Sequence, residues 1–119
     1  MQAATKVGQR TTTAASGDSV AVLSFSGDIA STSKDAMREA YHHLGDGVTK
    51  VLLDFKGVDY INSSGIAIII QMLLEQSAAG RRQIGIFGLT PHFEKVFTMV
   101  GVARYANIAT DERTALAAM

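Results

Sequence analysis

Two apolar segments joined by a short polar junction do most to limit what this chain can become. The first, Val51-Leu52-Leu53 within residues 48–55, is apolar at consecutive positions, without the alternation of a strand that has one wet face. It predicts a strand covered on both sides, the central strand of a layered sheet. The second follows Asn62-Ser63-Ser64-Gly65 and holds Ile66, Ala67, Ile68, Ile69, Ile70, Met72, Leu73 and Leu74. Its β-branched residues would also suit a strand, but the span from Ser63 to Ala79 exceeds strand length, and the serines and Gly80 are helix punctuation. A helix apolar nearly all round is expected to be buried.

The rest of the chain extends this unit. Thr11, Thr12 and Thr13 suggest at most an edge strand, followed by a turn at Ser16, Gly17 and Asp18. From Ser19, the residues Val20, Val22, Leu23 and Phe25 read as a largely buried strand closed by Gly27, able to form a hairpin with the first. Thr32 with Asp35 approximates a capping box for a helix through Met37, Ala40, Tyr41 and Leu44, ended by Gly45 and Gly47. Gln83 to Leu89 is another short strand. Thr90-Pro91 starts a helix marked by Phe93, Val96, Phe97 and Val100, a last short strand lies within 102–108, and Thr110 caps a terminal helix. The expected fold class is α/β: a mixed sheet of four to five strands with about four helices. A chain of 119 residues has room for one ordinary core. The expected organisation is one domain over residues 19–119, preceded by an N-terminal segment, residues 1–18, that is partly flexible or an edge strand.

Composition removes several function classes. Eleven Lys+Arg balance eleven Asp+Glu, and no basic cluster exceeds Arg81-Arg82, so nucleic acid is not an expected partner. Zero cysteines exclude a disulfide framework, a thiolate zinc site and a cysteine nucleophile. No signal-peptide pattern opens the chain, and the apolar stretch 66–74 falls far short of the about 20 residues that span a bilayer. A cytoplasmic location without membrane partners is therefore expected. Zero formal charge gives weak protection against association, which leaves part of the apolar surface for a partner or a second copy of the chain, a homodimer.

Chemistry concentrates at Asp59-Tyr60-Ile61-Asn62-Ser63-Ser64-Gly65-Ile66, where two hydroxyls, an amide and a glycine meet a helix start. Unpaired backbone N–H groups and the helix dipole welcome a phosphate at such a place. The plainer reading is that Ser63 or Ser64 caps the helix. His42 and His43 diverge on one helix and His92 has no ligand spacing to either, so no metal site is expected. Gly85 and Gly88 do not complete a dinucleotide fingerprint, and Ser63 lacks the preceding glycine of a G-x-S-x-G elbow.

Val51-Leu52-Leu53-Asp54-Phe55, followed by Val58-Asp59-Tyr60-Ile61-Asn62-Ser63-Ser64-Gly65-Ile66, resembles the signature of the STAS family, the bacterial anti-sigma-factor antagonists. Gly27-Asp28-Ile29 resembles that family's acidic turn, and Thr90-Pro91 through Phe97, with Gly101-Val102, its later helix and closing segment. The resemblance implies a partner-switching protein and not an enzyme, without a cofactor. Unmodified, it would bind an anti-sigma factor that has protein kinase activity and release the sigma factor. The kinase would phosphorylate Ser63, and a metal-dependent protein phosphatase would reverse this. The implied partner-facing residues are Asp28, Ile29, Ser31, Asp59, Asn62, Ser64 and Gly65. Two positions depart from the family pattern: Asn62 stands where aspartate is usual, and Ala30 where a second acidic residue is common. Asn62 keeps the shape and a hydrogen-bonding carbonyl but removes the charge. Two rival readings stay open: an interaction module that binds a partner, a nucleotide or itself without being phosphorylated, and an enzyme or small-anion binder using the N–H groups near Ser64 and Gly65.

Overall fold

The computed structural model describes residues 4–45, 47–78 and 82–119. Its sheet contains β1 (Lys6–Thr13), β2 (Ser19–Ile29), β3 (Lys50–Ile61), β4 (Gln83–Phe87) and β5 (Asn107–Ile108), in that spatial order. β1 and β2 form an antiparallel hairpin around Gly17, which takes φ +92°. β2, β3, β4 and β5 are parallel. The mixed sheet expected from the sequence is present, and β3 is central as its unbroken apolar run predicts. The α-helices of the described residues are α1 (Lys34–His42), α2 (Ser63–Ala78), α3 (Pro91–Met99) and α4 (Glu112–Ala117).

Each parallel strand is added on the same side of its predecessor, so right-handed crossovers deliver α1, α2 and α3 to one face of the sheet. There Leu23, Phe25, Val51, Leu53, Phe55, Ile84 and Ile86 pack against Met37, Tyr41, Ile69, Leu73 and Phe97. On the other face Val20, Val22, Leu52 and Phe87 meet Ala115 of α4 and the terminal Met119. Val51 and Leu53 thus serve one layer and Leu52 the other, which is why the run shows no polar alternation.

Several local expectations are corrected. β1 starts at Lys6, well before the threonines, because pairing with β2 recruits residues of weak strand propensity such as Gly8 and Gln9. β2 passes through Gly27 to Ile29, and β3 continues to Ile61, directly abutting α2. The Thr32–Asp35 capping box does not form: Ser31–Ser33 is a 3-10 turn, and α1 begins after it without a side-chain cap. The short strand expected within 102–108 is present as Asn107 and Ile108, preceded by a 3-10 turn (Val102–Arg104). Asp111, not Thr110, caps α4, its carboxylate accepting the Thr114 N–H at 2.8 Å. Thr90 caps α3 as expected, accepting the Phe93 N–H at 3.2 Å. The Gly80 stop lies outside the described residues.

α2 departs most from its expected burial. Gly65, Ile69, Met72 and Leu73 face the core, but Ala67, Gln71 and Leu74 are exposed, Leu74 by 42%. A helix lying on one face of a sheet with no layer beyond it buries one stripe, whatever its composition. No helix of the described residues is long and apolar enough to cross a membrane.

Candidate functional site

The junction between β3 and α2 is built from the sheet outward. β3 carries two extra residues relative to β2: the register steps from Ser24↔Asp54 to Ser26↔Gly57, and again from Gly27↔Val58 to Asp28↔Tyr60. The second step leaves Asp59 without a β2 counterpart. Bulges of this kind bend a strand and redirect its side chains, and they recur beside functional sites. Gly57 permits the first one: a Cβ at that position would sit 2.9 Å from the Phe25 carbonyl oxygen. Asp59 and Tyr60 emerge exposed while Ile61 returns to the core.

At the end of β3 the chain is tied down by backbone. The Asn62 N–H donates to the Ile29 carbonyl at 3.1 Å, and the Asn62 carbonyl accepts the Ile66 N–H at 3.0 Å, the first bond of α2. The Asn62 side-chain oxygen accepts the Gly65 N–H at 2.8 Å. Asn62 is therefore the helix cap, a role the sequence reading gave to Ser63 or Ser64. An aspartate would cap in the same way, so the substitution at this position keeps the local structure and removes a charge.

With the cap taken by Asn62, Ser63 is the first residue of α2 and is exposed, as is Ser64. Neither hydroxyl bonds to another described residue. Their backbone N–H groups belong to the first turn, which has no intrahelical acceptor, so negative charge is favoured at this point. Gly65 lies beneath them. A Cβ on it would stand 2.3 Å from the Ile29 carbonyl oxygen and 3.1 Å from Ile29 Cγ2, so only glycine lets α2 start this close to β2.

The remaining expected site residues divide by depth. Ser31 and Asp59 are exposed and Asp28 is half-buried. Ile29 is 0% exposed and Gly65 is buried, so neither presents a side chain to a partner in this form. They set the height of the serines instead. The sequence expectations also omit Tyr60, which is 55% exposed and stacks edge-on against Phe93 at 6.1 Å between centroids. His92 adjoins it, 5.1 Å from the Phe93 ring. An aromatic two positions before the cap, flanked by buried Ile61, was the available signal.

The histidines show no shared chemistry. His43 Nδ1 donates to the Glu39 carbonyl at 3.0 Å, a local helix contact. Among the described residues no group of three or more His, Cys, Asp or Glu could hold a metal ion. The surface around Ser63 carries exposed polar side chains and the Tyr60–Phe93 aromatic pair.

The family model described as "Mlab, STAS domain" matches residues 12–110. Among solved structures the chain is similar to an anti-sigma factor antagonist from Mycobacterium paratuberculosis, with a TM-score of 0.70 and 17% identity over 93% of this chain and 92% of that one. It is also similar to SpoIIAA, a Bacillus cell fate determinant, in its phosphorylated form, with a TM-score of 0.64 and 19% identity over 92% and 96% of the two chains. A variant of RsbS from Moorella thermoacetica gives a TM-score of 0.67 at 13% identity over 91% of each chain. No curated protein matches the chain at a significant level. At these identities the structural likeness is one of fold.

Proposed function

The chain belongs to the STAS domain family, and on that premise we propose that it is an anti-sigma-factor antagonist switched by phosphorylation of Ser63. In this reading the unmodified face around Ser63, Ser64, Asp59, Asn62, Asp28 and Ser31 binds an anti-sigma factor that has protein kinase activity, and the sigma factor is released. The kinase transfers the γ-phosphoryl group of ATP to the Ser63 hydroxyl, forming a phosphate ester with loss of the hydroxyl proton and leaving ADP. A metal-dependent protein phosphatase hydrolyses the ester. The protein itself contributes no catalytic group, and we place it in the cytoplasm with its partners.

One observation carries this reading: Asn62 caps α2 through its side chain, which leaves the exposed Ser63 hydroxyl with no structural duty. A phosphate there adds roughly −1.5 to −2 charge at pH 7. The free N–H groups of the first turn tolerate it within the chain, whereas a docked protein loses a polar contact and meets an uncompensated charge. The switch then needs no change of fold. The test is incubation with a cognate anti-sigma kinase and ATP. One phosphate is expected, located at Ser63 by tandem mass spectrometry and lost in Ser63→Ala, and Ser63→Asp should weaken kinase binding. A phosphate located on another residue overturns the proposal.

The neutral Asn62 supports a second reading, in which the same face binds its partner without being phosphorylated. Equal capture of that partner by wild-type and Ser63→Ala protein from growing and stressed cells, with no phosphate in either, would select it.

A further inference from the structure

The two edges of the sheet are unequal. β5 ends one side with two residues, too short to template a ladder, whereas β1 ends the other with eight. β1 pairs with β2 in unbroken register from Lys6↔Ser26 to Thr13↔Ser19, without a bulge. In an antiparallel ladder alternate residues direct their N–H and C=O groups away from the partner strand. Among the described residues no backbone group of 6–13 bonds outside the β1–β2 ladder. The strand has Val7 and three threonines, no proline, and only Lys6 and Arg10 as charges, so most devices that blunt an edge are missing.

We infer that this edge pairs antiparallel with β1 of a second copy of the chain, joining two five-stranded sheets across a two-fold axis. The argument for a second copy is the self-complementarity of the strand. Val7 packs into the core beneath α1, and Gln9 lines a groove of about 300 Å³ with Ala36, Glu39, Ala40 and His43. Arg10 points the other way, paired with Glu112 at the start of α4. A two-fold axis perpendicular to the sheet keeps these faces matched, so only residues pointing to the same side can oppose one another. Centring the axis on Gln9 sets Val7 against Thr11, Gly8 against Arg10 and Lys6 against Thr12. Every cation then meets a neutral residue, the missing side chain of Gly8 gives room to Arg10 of the second copy, and Val7 opposes Thr11, both β-branched strand formers. Centring the axis on Arg10 would oppose two cations. With zero formal charge on each copy, no net repulsion opposes the approach.

The chain has no cysteine, so single-cysteine variants read the register directly. Sedimentation equilibrium of the full chain is expected to show a mass rising to twice that of the chain with concentration. Mild oxidation should crosslink Gln9→Cys into disulfide dimers far more completely than Thr13→Cys. Gln9→Lys, at an exposed position, should abolish the dimer while leaving unchanged the circular dichroism spectrum and the melting temperature measured at concentrations where the unsubstituted chain is monomeric. A chain that stays monomeric at all accessible concentrations overturns the inference, as does a dimer that survives Gln9→Lys or crosslinks equally well through both cysteines. None of these readouts depends on phosphorylation of Ser63.

Discussion

Two strand-to-helix junctions in this molecule end in serine-rich turns, and they use their serines in opposite ways. Between β2 and α1, Ser33 is 1% exposed, and its hydroxyl oxygen accepts the Ala30 N–H at 2.9 Å. The Thr5 hydroxyl, which donates to the Asp28 carbonyl at 2.6 Å, contacts the same Ser33 oxygen. Between β3 and α2, the Asn62 side chain accepts the Gly65 N–H of the first turn, and Ser63 is left at the surface with its hydroxyl unengaged. A serine is available for modification where a neighbour already satisfies the backbone, and unavailable where it does so itself.

The contrast can be broken most severely at Gly65. Gly65→Ala places a methyl group against the Ile29 backbone, which cannot rotate away, so a loss of about 3 kcal/mol is expected, the upper range for overpacking. Urea denaturation measures it, and a loss below the spread of ordinary surface substitutions would show that α2 can slide outward. The next largest effect belongs to Ser33→Ala. Removing the acceptor leaves the Ala30 N–H buried without a partner, at a cost of about 2 kcal/mol, whereas Ser63→Ala should stay within about 0.5 kcal/mol. If the two alanine variants melt together, the division of roles between the junctions is wrong.

Asn62→Ala should cost about 1 kcal/mol through the lost cap, and Asn62→Asp should restore it while adding a charge next to Ser63. The smallest effect separates a neutral cap from an ionisable one. The Thr114 backbone N–H, followed by its side chain, holds the Asp111 carboxyl below the usual carboxylate range. Stabilisation from a lowered value is present above the unfolded-state value and is lost as pH falls through the folded one. Protection of the α4 amides against exchange, taken relative to the intrinsic rate at each pH, should therefore fall in acid while that of α2, capped by the non-ionisable Asn62, is unaffected. Asp111→Asn should remove that pH dependence.

Much of the architecture was legible because it depends on patterns that survive without coordinates. The consecutive Val51-Leu52-Leu53 required two covering layers, Thr90-Pro91 marked the start of α3, and the order of elements left few topologies. The site was legible as a place, through the polar junction at 62–65, but not as an arrangement. Which of Asn62, Ser63 and Ser64 would cap α2 could not be read from residue types that all favour that role. Burial was misread for α2 and for Ile29, because composition records how apolar a segment is and not how many sides of it are covered. The bulges in β3 had only Gly57 as a trace.

The sequence alone determined that this chain folds as an α/β layer structure with a hydroxyl-rich helix start beside its central strand, because periodicity and punctuation act over a few neighbouring residues. Only the tertiary structure decided that Ser33 is consumed by the fold while Ser63 is presented at its surface. That outcome depends on how closely α2 approaches the Ile29 backbone through Gly65, a distance between segments more than thirty residues apart, and on which side chain reaches the helix-start N–H groups first.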